Sequence, residues 1–464
     1  MLFNSIDYAV LLAVTLLCYW LAPWQSLRHA VVLISSLVFY MSWSVPFGLM
    51  LVVLIGVNWG AGALLARSGQ KSLLVVICIA DLALLAYFKY MGFFIENIQA
   101  ILQVTDLGAQ FNLWKIILPL GISFYVFELI SYQVDIYKGR CDHQRNPVVF
   151  AIFVLFFPHL IAGPICRARQ FIPQLEIKQH LNVSRTFNGL YYFVCGLALK
   201  CAIADGIAPY VNVIFNEPRA YSGLDNLMAV VGFGVQILCD FWGYSLMALG
   251  AALLFGYVLP YNFNNPYGAS SIRDFWRRWH ITLSNWLRDY LYIALGGSRT
   301  GKEWKTQRNL LLTMLLGGLW HGASWNFVIW GGIHGVALVV NRQFDNYSGR
   351  IARGLRSPLV AWLLTMLVVF TAWIFFRAST SAGAIAIISQ IVSLQGSWFE
   401  TRLSPVFYEL LIIYLPLQWW VHLSTYENDI THAQLWRAAF PMALVALFAI
   451  VYYVDGNDFI YFQF

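Results

Sequence analysis

The sequence predicts an all-α polytopic membrane protein, folded as a single membrane-embedded domain over residues 1–464. Three observations predict it. Of the 464 residues, 60% are hydrophobic and only 11% charged, whereas soluble domains carry roughly 25% charge. The apolar residues fall in runs close to the ~20 residues that a crossing helix needs. The basic residues behind the net charge of +7 sit in short loops between those runs. There they face lipid headgroups and the cytoplasm, so a membrane surface is the expected partner and nucleic acid is not.

Residues 1–24 lack the basic leader and small-residue cleavage site of a secretory signal. They read as an uncleaved first span (about 6–24), with Asp7 outside and Arg28 and His29 inside, because loop Lys and Arg mark the cytoplasmic side. The pair 30–45 and 47–65 goes out and returns, turning near Trp43 and Pro46 and ending at Arg67 and Lys71. A span at 73–92 exits to a loop with Glu96 and Asp106, and 115–137 re-enters to Lys138, Arg140 and Arg145.

Charge and crossing count then conflict. The run 148–162 is followed by Arg167, Arg169, Lys178 and Arg185, which a full crossing would leave outside. Residues 157–164 (Phe-Pro-His-Leu-Ile-Ala-Gly-Pro) hold two prolines and a glycine, which break a helix. Irregular backbone at depth is tolerated only where protein buries it or where it lines a cavity. Residues 148–166 therefore read as re-entrant.

Spans at 188–209 and 226–256 lead to a basic, aromatic stretch from Ser271 to Tyr292. Arg277, His280, Ser284 and Arg288 fall at helical spacing on one face, and the aromatics suit an interfacial helix. Residues 309–340 lie between two basic loops, with Arg299, Lys302, Lys305 and Arg308 before and Arg342, Arg350, Arg353 and Arg356 after. They cannot be one crossing. Two legs of about 16 residues reach about 24 Å, short of a ~30 Å core, so a hairpin that dips and returns is expected. His321 would lie roughly 18–20 Å deep, with glycines 317, 318, 322, 331 and 332 letting helices approach. Spans at 358–376, 405–422 and 438–454 finish the chain, and 382–394 is too short to cross. Asp455 and Asp458 place the C-terminus outside, like the N-terminus.

The chemistry gathers at Gly318-Leu319-Trp320-His321-Gly322-Ala323, where a lone histidine interrupts a long apolar run. An ionisable group at membrane depth is costly and marks a functional site by default. The alternative is a histidine that only bonds a neighbouring helix. His280 follows the arginine-rich segment and is open to a packing or a catalytic reading. A neutral imidazole can take a proton from a hydroxyl and return it near neutral pH. His334 reads as a helix-packing partner, and His159 as a candidate lining residue from the first re-entrant element.

Arg273, Arg277, Arg278 and Arg288 could pair with phosphates of a nucleotide-like acyl donor such as coenzyme A, or equally with lipid headgroups. Ser284 and Ser324 stand near the histidines in sequence, although serines are common in helix contacts. No G-x-S-x-G elbow occurs and no cysteine has an evident activating partner. Neither CxxC nor Cys/His ligand spacing appears, so no metal site and no bound cofactor are expected. Acyl transfer by such a chain would need direct attack by the acceptor, or a separate protein to receive the group.

These residues make the chain resemble the membrane-bound O-acyltransferase family, most closely its bacterial polysaccharide-acetylating branch. The resemblance runs through 121–125 (Gly-Ile-Ser-Phe-Tyr), 156–164, 240–245 (Asp-Phe-Trp-Gly-Tyr-Ser), 274–280 (Asp-Phe-Trp-Arg-Arg-Trp-His), 286–293 and 318–323. It implies about ten transmembrane helices plus re-entrant helices in a ring around a thin central channel. The family's invariant histidine corresponds to His321 and its second histidine to His280. Channel or donor-binding candidates are His159, Trp320, Arg277, Arg278, Ser284, Arg288 and Ser324. Two positions depart from the pattern: Leu246 stands where an acid usually follows Gly-Tyr-Ser, and Trp242 replaces a small residue.

The resemblance further implies an O-acetyltransferase of the bacterial inner membrane. It would take acetyl groups from a cytoplasmic donor, acetyl-coenzyme A, and pass them by His321 to an extracytoplasmic acetyltransferase partner. That partner would supply the Ser-His-Asp nucleophile missing here. The acceptor would be an exopolysaccharide, cellulose or alginate, with the short C-terminal end leaning toward cellulose. The rivals are a D-alanyl-type or other acyltransferase and a polymer or lipid transporter.

Overall fold

The computed structural model describes residues 3–104, 116–161, 163–299, 301–345, 354–355, 357–393, 398, 400–423 and 435–451. Among these, the regular elements are helices, and the chain divides into two compact units. The first comprises Met1–Leu181 with Ala251–Leu259, the second Asn182–Gly250 with Pro260–Phe464. Asp106, Arg350, Arg353, Arg356, Asp455 and Asp458 lie outside the described residues.

In the first unit the helices are α1 (Ile6–Leu21), α2 (Gln25–Met41), α3 (Val45–Ser68), α4 (Lys71–Val104), α5 (Ile122–Tyr137), α6 (Pro147–Leu155) and α7 (Ala168–Glu176). Local chemistry sets several starts. Ser5 Oγ accepts the Tyr8 N–H at 3.2 Å, and Pro46 sits in the first turn of α3, where its missing N–H costs nothing. Helix α5 is the centre of the unit: every residue from Ile122 to Gln133 is buried, as a helix surrounded by others must be. Its polar side chains find partners there. Gln133 Nε2 donates to Asn58 Oδ1 at 3.0 Å, and Asn58 Nδ2 donates to Asp81 at 3.0 Å, tying α3, α4 and α5 together.

Two expectations are corrected here. Arg28 and His29 are not loop residues; they are buried in α2, where Arg28 donates to the carbonyls of Ala22 at 3.2 Å and Gln179 at 2.7 Å. Glu96 lies within α4, which runs on to Val104 with no proline to interrupt it. The re-entrant reading of 148–166 fares better. Helix α6 has nine residues, about 13 Å, too short to cross. The buried chain then unwinds over 156–161 and 163–167. Arg145 before this stretch and Arg169 after it line the same cleft, together with Arg67 and Arg140. The two ends of the segment therefore stand beside one cleft, as a re-entrant segment requires.

In the second unit α8 (Val183–Leu197) continues through a π-helical turn (Ala198–Ala204) into α9 (Asp205–Asn216), followed by α10 (Gly223–Leu254). Lys200, in the π turn, is buried with its Nζ 2.7 Å from Asp205 and 2.6 Å from Asp240, an internal ion-paired clamp on α10. Next come α11 (Ile272–Arg278), α12 (Ile281–Trp286), which continues as a π turn (Leu287–Tyr292), α13 (Glu303–His321) and α14 (Trp325–Asp345). The remaining helices are α15 (Pro358–Arg377), α16 (Ser381–Ser393), α17 (Pro405–His422) and α18 (Leu435–Val451). Helices α15 to α18 stand close to where the apolar runs put them.

Five helices among the described residues are long and apolar enough to cross a membrane: Val45–Ser68, Lys71–Leu102, Val183–Asn216, Gly223–Leu254 and Pro358–Arg377. This is a multi-pass membrane protein.

Candidate active site: a histidine cluster at a hairpin tip

Helices α13 and α14 form a tight hairpin, and two glycines allow it. A Cβ on Gly318 would run into the Phe327 carbonyl, and one on Gly331 into the Met314 carbonyl. Small residues at such crossings let backbones touch, which is how helices associate without a hydrophobic driving force. The legs are longer than the sequence suggested, 19 and 21 residues, or about 28 and 31 Å. Length therefore does not set α13 apart from a crossing helix; its polar first turns do, with Glu303, Lys305 and Arg308. His321 is the last residue of α13 and stands at the tip, 3% exposed.

Around it the rings are packed edge to face. His321 lies 5.1 Å from Trp320, 4.9 Å from Trp330 and 5.3 Å from Phe376 of α15, centroid to centroid. Trp320 also faces His280 at 6.0 Å, and Trp330 faces His334 at 4.9 Å. Two tryptophans thus link three buried histidines in the order 280, 321, 334. The sequence reading separated His334 from this group, because a spacing of thirteen residues across an unseen turn says nothing about the facing side.

His280 is held by a different device. Its backbone is left-handed, with φ 40° and ψ 56°, between α11 and α12. Such a conformation is uncommon for a residue other than glycine and needs surrounding structure to impose it. Asn264 N–H donates to the Arg278 carbonyl and Ile281 N–H to the Asn262 carbonyl, each at 2.9 Å, on either side of the break. Asn262 Oδ1 also accepts the Thr282 hydroxyl at 2.6 Å, and its Nδ2 donates to Ser245 at 3.2 Å. The Gly-Tyr-Ser segment of α10 therefore braces the turn, and Phe241, four residues earlier, packs on the imidazole at 4.6 Å. This corrects the expected single helical face: Arg277 lies in α11 before the break, whereas His280 caps α12 and its carbonyl accepts the Ser284 N–H at 3.0 Å, with Arg288 further along.

The remaining candidates fall as follows. Ser284 Oγ donates to the Trp279 carbonyl at 3.2 Å, and Ser324 Oγ accepts the Asn326 N–H at 3.2 Å, so each hydroxyl serves the start of its helix. Arg277 and Arg288 are exposed; Arg288 is 2.7 Å from Asp289, and Arg278 is 3.0 Å from Asp274. Leu246 and Trp242 are both buried, and the acid retained nearby, Asp240, is bound to Lys200.

His159 belongs to the first unit. It lies buried 3.6 Å from Glu128, which also accepts the Cys166 N–H at 2.9 Å. The ligand-capable atoms of these three side chains lie within 4.8 Å of one another, so they could hold a metal ion. No spacing in the sequence marks this group, whose members are 31 and seven residues apart.

Several polar groups around the second-unit cluster have no hydrogen-bond partner among the described residues: both ring nitrogens of His334 and the indole N–H groups of Trp279, Trp330 and Trp373. Buried polar groups are ordinarily satisfied, which sets this grouping around the histidine cluster apart.

The site is thus a buried imidazole at a hairpin tip, ringed by aromatics, in a multi-pass helical protein. The chain belongs to the membrane-bound O-acyltransferase family, whose model matches residues 142–381, and it is an acyltransferase of the polysaccharide O-acetylation branch. It is 42% identical over 388 residues to a probable alginate O-acetylase AlgI of Azotobacter vinelandii, covering 82% of this chain and 75% of the relative. It is 37% identical over 393 residues to a peptidoglycan O-acetyltransferase of Helicobacter pylori (78% and 73%). A teichoic acid D-alanyltransferase of Bacillus subtilis is more distant, 29% identical over 262 residues (54% and 65%).

Proposed function

We propose that this chain moves acetyl groups across the bacterial inner membrane for O-acetylation of an exopolysaccharide, with His321 as the general base. One observation carries the reading: the imidazole that the acyltransferase motif singles out stands at the hairpin tip, buried, between Trp320 and Trp330. A dry neutral imidazole can accept a proton from an acceptor hydroxyl or thiol as it attacks the acyl carbon, and return it to the leaving group. The braced turn at residue 280 keeps a second imidazole beside Trp320, where it assists on the donor side.

The donor in this account is acetyl-coenzyme A from the cytoplasm. Exposed Arg277 and Arg288, with Arg278, meet its phosphates, while Ser284, Ser324, Trp320 and His159 line the route. About ten helices ring a thin central channel, and both termini lie outside the cytoplasm. An extracytoplasmic acetyltransferase partner takes the group and modifies the polymer, cellulose or alginate. The alginate O-acetylase names of the relatives support the alginate side of that pair. D-alanyl transfer is the weaker alternative, since that relative aligns with only about half of this chain.

Replacing His321 with alanine should abolish polymer acetylation while the protein stays in the membrane at its usual abundance. Acetylation that persists in that variant overturns the role given to His321.

A further inference from the structure

We infer that the first unit carries a binding cleft for a phosphate-bearing anion, built by Arg67, Arg145 and Arg169. The cleft has a volume of about 1210 Å³ and is lined by four arginines (67, 140, 145 and 169) against two acids, Asp142 and Glu176. Trp59 and His143 stand in the same wall. Neither the acyl-transfer chemistry nor the histidine cluster enters this inference.

The charges do not cancel within the cleft. Arg140 is engaged with Asp135 at 3.5 Å, which leaves Arg67, Arg145 and Arg169 in excess over the two acids, Asp142 and Glu176, the latter accepting from Gln144 Nε2 at 2.7 Å. Among the described residues, no ion pair or side-chain hydrogen bond involves Arg67, Arg145 or Arg169. They come from three separate places in the chain: the last turn of α3, the loop before α6 and the first turn of α7. Residues that only mark the cytoplasmic side of a membrane have no need to converge, and like charges gathered in one concavity repel unless an anion joins them.

Their field already acts on a neighbour. The His143 imidazole is pushed below the usual histidine range, first by burial and then by Arg145 and Arg67. The walls are fixed: Trp59 Nε1 donates to the Gln144 carbonyl at 2.7 Å, and Tyr132 Oη is 3.1 Å from His143 Nδ1. Three guanidinium forks around one volume match the oxygens of a phosphate or diphosphate better than a single carboxylate, because each fork binds two oxygens in its plane. The same chemistry is offered by a soluble phosphate ester and by a phospholipid headgroup.

The test uses the full chain. Inorganic pyrophosphate is titrated calorimetrically into detergent-solubilised protein, and thermal unfolding is compared in phosphatidylglycerol and phosphatidylcholine nanodiscs. Both are repeated with Arg67→Gln, Arg145→Gln, Arg169→Gln, the triple variant, and Arg219→Gln as a charge control outside the cleft. Each cleft substitution should weaken the phosphate ligand about three- to tenfold, with the control unchanged. Saturable pyrophosphate binding assigns the cleft to a soluble phosphate. Stabilisation by phosphatidylglycerol alone, lost in the triple variant, assigns it to a lipid headgroup. If a folded triple variant responds to both probes as the parent does, or if Arg219→Gln weakens them equally, the cleft is not an anion site.

Discussion

At His280 the backbone and the side chain can be tested separately. The left-handed conformation is tolerated by asparagine but is strained for β-branched residues. His280→Asn should therefore keep the protein's thermal stability while lowering acetyl transfer. His280→Val should cost roughly 1–3 kcal/mol of stability besides, read as a lower unfolding temperature. If both variants transfer acetyl groups as the parent does and only His280→Val is less stable, the residue is a turn element and nothing more. His321 and His280 were legible in the sequence, because an ionisable ring in an apolar run or after an arginine-rich stretch stands out chemically. The groups that were not legible are those that only folding assembles. Lys200 meets Asp240, His334 meets Trp276, and Glu128 meets His159, each across a sequence gap with no periodic signature.

Helix α13 meets α14 through glycines that are not equivalent. Gly318→Ala or Gly331→Ala would force a methyl group into a carbonyl of the facing leg, an overpacking cost of roughly 1–3 kcal/mol. A Cβ on Gly332 would meet only Leu315 Cδ2, at 3.7 Å, an ordinary contact. Unfolding temperatures measured in detergent should therefore fall for the first two variants and stay near the parent value for Gly332→Ala. An equal response at all three would show that the hairpin is not set by close backbone approach. Sequence alone made all five glycines of this region candidates for close packing, since it cannot show which side of a helix faces the other leg. The break at residues 279–280 was hidden for a related reason. No proline or glycine marks it, and it is imposed from a distance by Asn262 and Asn264. The re-entrant stretch after α6, by contrast, was legible from its prolines and from loop charge, and the shared cleft of Arg145 and Arg169 accounts for both.

Across the whole molecule, composition and loop charge were enough to read a helical multi-pass protein and to place helices near most of the apolar runs. They did not reveal how long α4 runs or where the irregular segments turn, because those depend on burial by neighbours and not on local apolarity. An acetyl relay through buried His321 can be followed with purified protein in lipid nanodiscs, given radiolabelled acetyl-coenzyme A with and without the extracytoplasmic acetyltransferase partner, and with His321→Ala alongside. Label should reach the partner with the parent protein and not with a folded His321→Ala. Label that reaches the partner at the same rate from both proteins would contradict it.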